Sequence, residues 1–295
     1  MQSLSRRIAG AGDLQGVVGA MKALAASSIG QYEKAVQSLD NYDRTVELGL
    51  SVCLRQAEPT QSPPRKQPKE TGPIGAVVFG SDQGLVGRFN ELIVDLALDT
   101  LRKLPGKTKQ ILAVGDRVYS LLADANFAPV SQLTVPTSVH GITPLIGQIL
   151  IEIQTARDKG DVVEVYLFHN HPNPGIGYEP VSKRLLPFDL EWRTALTAIP
   201  WPTKKLPQVI EGPTPALDAF IRGYLFVLLF QACAESLNSE NASRLSAMQR
   251  AEKNIKQILE DLNLEFHRIR QESIDEELFD VVSGFEALAK HKRQA

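Results

Sequence analysis

The sequence predicts an α/β protein: a small central α/β domain with a parallel-type sheet, framed by two long helices that pair as an antiparallel coiled coil. Three observations point there. Proline is confined to the middle of the chain, both ends carry a repeat of seven, and the middle alternates strand-like with helix-like segments. All 18 prolines of the 295 residues lie between Pro59 and Pro215. Proline removes a backbone donor and clashes with the preceding turn, so 1–58 and 216–295 are where long helices can run. The expected organisation is an N-terminal arm (1–58), a Pro-rich linker (59–73), a central α/β domain (74–213) and a C-terminal arm (214–295).

In the N-terminal arm Val18, Ala25, Tyr32, Leu39, Val46 and Cys53 form one row at seven-residue spacing. Met21, Ala35 and Tyr42 form a second row three residues on, interrupted by Ser28 and Gly49. Paired rows of this kind are the a/d seam of a coiled coil. Asp40 and Arg44 add an i, i+4 ion pair. Gly10, Gly12, Gly16 and Gly19 each weaken the helix by about 1 kcal/mol relative to Ala, so packing against another helix or a tight protein sleeve must hold that end.

The linker PTQSPPRKQPKETGP is proline-rich and polar. In the central region, 74–79 (IGAVVF), 110–114, 162–168 and 181–186 read as strands, and 90–103, 116–127 and 145–157 as helices. That alternation indicates a largely parallel sheet. The stretch HNHPNPGIGYEP (169–180) reads as a Pro/Gly-rich surface loop. Its His169 and His171 suggest a metal pair but lack a nearby third ligand in sequence.

The C-terminal arm opens with Thr214 as N-cap and Pro215 at the first helical position. Met248, Ile255, Leu262 and Ile269 recur every seven residues beside Leu245, Leu259 and Phe266, and Glu252 breaks the second row. Ile274, Val281 and Leu288 resume the spacing after a phase shift. Glu252 and Lys256 form a further expected i, i+4 pair. Residues 224–234 (YLFVLLFQACA) read as a buried helix segment, and no stretch approaches the roughly 18 apolar residues that span a bilayer.

Composition excludes several functions. Lys plus Arg number 32 against 34 acidic residues, a net charge of -2 that argues against a nucleic-acid partner. The two cysteines, Cys53 and Cys233, form no disulfide framework and point to apolar packing in a reducing compartment. The N-terminus MQSLSRRIAG carries no signal-peptide core, so a cytoplasmic, soluble protein is expected. The segment GSDQGLVGRFN after the first strand has neither the GxGxxG spacing nor the Gly-Lys-Ser/Thr of a phosphate loop. No Ser-His-Asp order or paired catalytic carboxylate occurs, and no cofactor is implied. The apolar ends leave two readings from the residues alone: a coiled-coil adaptor joining two proteins, or a small-molecule enzyme using the α/β domain.

Three motifs then carry a resemblance. Residues 235–251 (ESLNSENASRLSAMQRA), followed by 280–287 (DVVSGFEA), resemble the C-terminal signature of the γ subunit family of rotary F-type ATP synthases. Residues 17–27 (VVGAMKALAAS) and 81–90 (SDQGLVGRFN) are similar to that family's first-helix and central-domain motifs, in family order. The resemblance implies a non-catalytic rotor subunit, its coiled coil inside a ring of α and β subunits and its α/β domain on the membrane c ring with ε as a further partner. It implies a place at the cytoplasmic face of the bacterial inner membrane, in a divergent bacterial branch. Carried over by position, Met21 and Lys22 match the first-helix contact motif. Glu235, Ser236, Glu240, Asn241, Arg244 and Met248 match the C-terminal signature, and Arg270 and Gln271 match a polar pair higher on the shaft. The chain departs from the family pattern where Ser27, Ser28, Ile29, Gly30 and Gln31 replace a basic cluster. Gly16 and Gly19 stand where lysine is common, and Asp275 replaces a small hydroxylic residue.

Overall fold

The computed structural model describes residues 2–56, 72–104, 109–174, 177–205, 207–209 and 212–294, with backbone only at 213 and 284–294. Most of the expected linker therefore lies outside the described residues. The chain divides into two compact units, one of residues 1–24 and 245–295 and one of 25–244. The helices are α1 (Gln2–Ser38), α2 (Asp40–Gln56), α3 (Phe89–Lys103), α4 (Asp116–Asp124), α5 (Val139–Asp158), α6 (Leu190–Ala198) and α7 (Pro213–Gln294). The strands are β1 (Ile74–Phe79), β2 (Lys109–Val114), β3 (Ser131–Leu133), β4 (Glu164–Asn173) and β5 (Gly177–Leu186).

In the larger unit the five strands form one sheet in the order β3-β2-β1-β4-β5. β1 pairs in parallel with β2 and β4, β2 with β3, and only β4–β5 is antiparallel. All six residues of β1 are buried, as expected of a central strand covered on both faces. Alternate residues face alternate layers. Val77, Phe79, Leu112, Val114 and Leu167 pack with Ile142, Ile146 and Ile149 of α5 and with Leu225 and Leu229 of α7. Ala76, Val78, Ile111, Ala113 and Phe168 pack with Ile93, Ala97 and Leu101 of α3 and Leu122 of α4.

The apolar segment 224–234 is a buried helix segment, with Leu225, Val227, Leu229, Phe230 and Cys233 all inside. One 18-residue window of α7 does reach a mean hydropathy of 1.5, the range of a membrane span, which corrects the expectation that no stretch comes near it. A third of that window is buried inside the chain, Leu225, Val227, Leu229 and Phe230 among it.

The N-terminal arm is broken once. Leu39 leaves the helix, with its N–H turning back to Val36 O at 3.0 Å, and α2 begins at Asp40. The expected Asp40–Arg44 pair does not form. Tyr42, expected in the seam, is 48% exposed. Gly49, which interrupts the second heptad row, sits under the Phe220 ring, where a Cβ would lie 2.2 Å from a ring carbon. It is glycine because α2 and α7 approach too closely for any side chain.

Other expectations shift at their edges. α4 stops at Asp124 rather than running to 127, α5 starts at Val139 and carries Pro144 inside, and α7 starts at Pro213. β3 and α6 had no sequence expectation. Asp189 caps α6 by accepting from Trp192 N at 2.8 Å. Arg55 closes its other end, donating from Nε to Thr197 O at 3.0 Å and from Nη2 to Ile199 O. HNHPNPGIGYEP is no surface loop: it is the end of β4 and the start of β5, paired residue for residue from His169↔Val181 to Asn173↔Gly177. His169 and Asn170 are buried there.

In the smaller unit α1 and α7 run antiparallel: Lys22 lies against Glu252, while Arg7, Gly10, Ala11 and Leu14 line a groove with Ile255, Ile258 and Leu262. Met248 and Leu262 are buried and Leu245, Ile255, Leu259, Phe266 and Ile269 half-buried, which is the expected seam. One-for-one antiparallel pairing puts Gln2 opposite roughly residue 270. Beyond that point Ile274, Leu278, Phe279 and Val281 are all at least 53% exposed, so the phase-shifted row seals no seam with α1; Leu288 lies among residues whose side chains are not described.

Candidate functional site

Three clusters involve the residues singled out from sequence. The first is in the helix pair. Lys22 Nζ and Glu252 Oε2 lie 2.6 Å apart, with side chains 36% and 38% exposed. Glu252 therefore turns across to α1 instead of along α7 to Lys256, and the residue that breaks the heptad row finds its charge partner beside Met21. Gly10, Gly12, Gly16 and Gly19 have nothing of this chain within 4 Å of where a Cβ would stand. Gly10 lines the groove against α7, and Gly12 and Gly16 are exposed.

The second cluster joins two of the motifs. After β1 the chain folds 81–90 into a compact loop. Asn90 Oδ1 accepts from Ser81 N at 2.9 Å, and Asn90 Nδ2 donates to Ser81 Oγ at 2.9 Å. Asp82 accepts from Asp116 N at 3.1 Å, at the start of α4, and from Val135 N at 3.0 Å. Gly87 adopts a φ of 59° and Leu85 of 63°, so the loop needs its glycine for a left-handed turn. Gly80 gives way to Val118, whose Cγ2 would stand 1.9 Å from a Cβ. Ser243 of α7 donates to Val86 O, and Ser239 donates to Asn170 O at 3.0 Å while Asn170 donates to Phe89 O at 3.0 Å. The C-terminal signature thus clasps the central-domain motif through its serines. The sequence carried this in the small hydroxylic residues at 239 and 243, four apart on one helix face.

The third cluster lies along α7 itself. Glu240 accepts from Arg244 Nη2 at 2.6 Å, both side chains less than 15% exposed. Burial pushes the Glu240 carboxyl up, against the opposing pull of the Arg244 guanidinium. Tyr32 is likewise raised, first by burial and then by Glu240. Asn241 Nδ2 donates to Leu237 O at 2.8 Å. Glu235 receives His169 Nε2 and His171 Nδ1, each 2.9 Å from Oε2, and Gln231 donates to its Oε1 at 2.8 Å. Burial works against the carboxylate, but these hydrogen bonds outweigh it and hold Glu235 down at about 2. The missing third partner of the two histidines is therefore Glu235, more than sixty residues away along the chain.

Of the ten residues chosen from sequence, Glu235, Ser236, Glu240, Asn241 and Met248 are buried in this chain and Arg244 nearly so. Met21 and Lys22 are half-buried, and Arg270 and Gln271 are exposed and pair with none of the others. Cys53 and Cys233 are buried free thiols.

Comparison with known proteins agrees with this arrangement. A family model described as ATP synthase matches residues 1–288. The ATP synthase gamma chain of Ehrlichia chaffeensis is 30% identical over 214 residues, covering 72% of this chain and 73% of that one. The gamma chains of Cupriavidus pinatubonensis and Moorella thermoacetica are 28% and 26% identical, each covering more than 90% of both chains. Among solved structures, a chain of the Euglena gracilis mitochondrial ATP synthase aligns over 99% of this chain and 95% of its own, at 15% identity and a TM-score of 0.64. A chain of the Tetrahymena thermophila central stalk and c ring covers 80% of this chain and 99% of its own, at 22% identity and a TM-score of 0.57. Those two likenesses establish the shared fold: a mixed sheet with long N- and C-terminal helices. With the family model spanning both helices and the sheet, the chain belongs to the ATP synthase γ-chain family.

Proposed function

We propose that the chain is the central-stalk rotor subunit of an F-type ATP synthase, passing torque between the ion-driven c ring in the membrane and a catalytic ring of α and β subunits. The observation that carries this is the match of the ATP synthase family to residues 1–288, which takes in the antiparallel pairing of α1 with α7 as well as the sheet. Bond-making chemistry falls to the partner subunits; the loop at 81–90 uses its donors and acceptors within the chain. The α, β and ε subunits and the c ring are its partners, and the complex sits peripherally on the cytoplasmic face of a bacterial inner membrane. The arms 1–58 and 214–295 carry the shaft in their paired parts, 1–24 and 245–295, and the domain 74–213 stands on the c ring.

Met21, Lys22, Arg270 and Gln271 have the surface to meet the surrounding ring. Glu235, Ser236, Glu240, Asn241, Arg244 and Met248 act on torque from within, by fixing α7 in place. Co-expression with α and β subunits tests the reading. The expected result is one copy per αβ ring, no ATP hydrolysis by the chain alone, and hydrolysis that loses its coupling to ion transport in Leu259→Pro. An αβ assembly indifferent to the chain, or coupling untouched by that proline, would overturn it and leave a simple adaptor.

A further inference from the structure

We propose that His169, His171 and Glu235 form a binding site for a zinc-class divalent cation, which ties β4 to α7 within the central unit. Side chains alternate along a strand, so two histidines at i and i+2 share one face. That face of β4 is the one packed on α7, where Glu235 stands. Nε2 of His169 and Nδ1 of His171 both lie 2.9 Å from Glu235 Oε2, and the three ligand atoms are within 4.8 Å of one another. Among the described residues no other trio of His, Cys, Asp or Glu converges in this way.

Two imidazoles and one carboxylate are the donor set that zinc and its first-row neighbours take. Magnesium and calcium demand an all-oxygen shell that this cluster does not offer. Without a cation each imidazole must spend an N–H on the same carboxylate oxygen. One cation takes the place of both N–H protons, each imidazole then carrying its proton on the other ring nitrogen, and is held by all three atoms. Ligands about 2.1 Å from a tetrahedral centre stand about 3.4 Å from each other, so the contacts need to open by about 0.5 Å. His171, 46% exposed, has room to swing by that much; the other contact, between His169 and Glu235, which are each about nine-tenths buried, opens by a small shift of the Glu235 carboxylate. Gln231 holds the other carboxylate oxygen at 2.8 Å, the outer hydrogen bond that orients a metal-binding carboxylate. The open side at His171 is both the entry path and the place for a water as fourth ligand.

The test uses the full-length, tag-free chain, stripped with a chelator and titrated with Zn2+ in a calorimeter and by thermal unfolding. The expected result is one ion per chain, a raised Tm, and at least a tenfold loss of affinity in both His171→Ala and Glu235→Gln. His171→Ala keeps the wild-type circular dichroism, because its ring is half in solvent, and lowers the metal-free Tm only by the loss of one hydrogen bond to Glu235. Substitution with Co2+ should give the intense visible bands of a four-coordinate site, and these should vanish in His171→Ala. Absence of one-to-one binding, or binding equally tight in the His171→Ala chain, would overturn the proposal. Because the isolated chain is measured, neither result depends on its assembly into a rotor.

Discussion

Lys22 of α1 and Glu252 of α7 meet across the helix pair at 2.6 Å, at the one position where the C-terminal heptad row carries a charge instead of an apolar side chain. Both ends are more than a third exposed, so water and salt screen the pair and its worth to stability stays below about 1 kcal/mol. A double-mutant cycle of Lys22→Ala and Glu252→Ala should return a coupling energy under that value, shrinking as salt rises. Glu252→Leu, which completes the apolar row, should raise the unfolding midpoint of the isolated chain. A lowered midpoint would show that the seam needs the charge.

The glycines of α1 give a second expectation. Each has open space around its missing Cβ. In the free chain Gly12→Ala and Gly16→Ala should therefore each stabilise the helix, by up to about 1 kcal/mol. Circular dichroism melts of the isolated protein measure this. If the proposed ring closes on these positions, the same substitutions should weaken assembly with α and β subunits.

Gly49 should behave in the opposite way. Phe220 fills the space a Cβ would need, with three ring carbons within 2.7 Å. Gly49→Ala forces that ring or α2 to move and should cost about 1–3 kcal/mol in urea unfolding. Adding Phe220→Ala should recover part of the loss. An undiminished loss would mean the backbone, not the ring, is the obstacle.

Glu240 sets a pH dependence. Burial raises its carboxyl in the folded protein above the ordinary value of 4.5, with Arg244 only partly offsetting this. Just above 4.5 the folded chain keeps a proton that the unfolded chain has released, so this group's contribution to stability is present at lower pH and fades as pH rises. Glu240→Gln cannot titrate. As pH rises above 4.5, urea midpoints should therefore fall less steeply for the variant than for the unsubstituted chain. An equal or steeper fall would assign the slope to other groups.

Much of this architecture was legible because it is local. β1 was read to the residue, since six consecutive apolar positions after a proline leave little else for 74–79 to be. The seam of the helix pair was legible for the same reason: a period of seven is written in the chain itself. α6 was hidden among prolines, and the three residues of β3 are too few to show alternation. The stretch 169–180 reads as a loop because prolines and glycines crowd it. Past Phe168, however, β4 has no neighbour on its β1 side, and β5 is the edge strand, so Pro172 on the one and Pro180 on the other cost no ladder bonds. The histidine cluster could not be foreseen, because Glu235 reaches it only through the tertiary packing of α7 on the sheet.

Asp82 has one more consequence. The first amide of α4 points at its carboxylate, and a second backbone amide closes on the other oxygen. Helix N-termini of α/β domains are natural seats for phosphate. Here that seat has a tethered occupant, present at an effective concentration on the order of millimolar or above. A free phosphate group would have to displace it while also facing its negative charge. The amide end of α4 is thereby satisfied from within the domain, and Asp82 ties the loop after β1 to α4 and to the segment after β3.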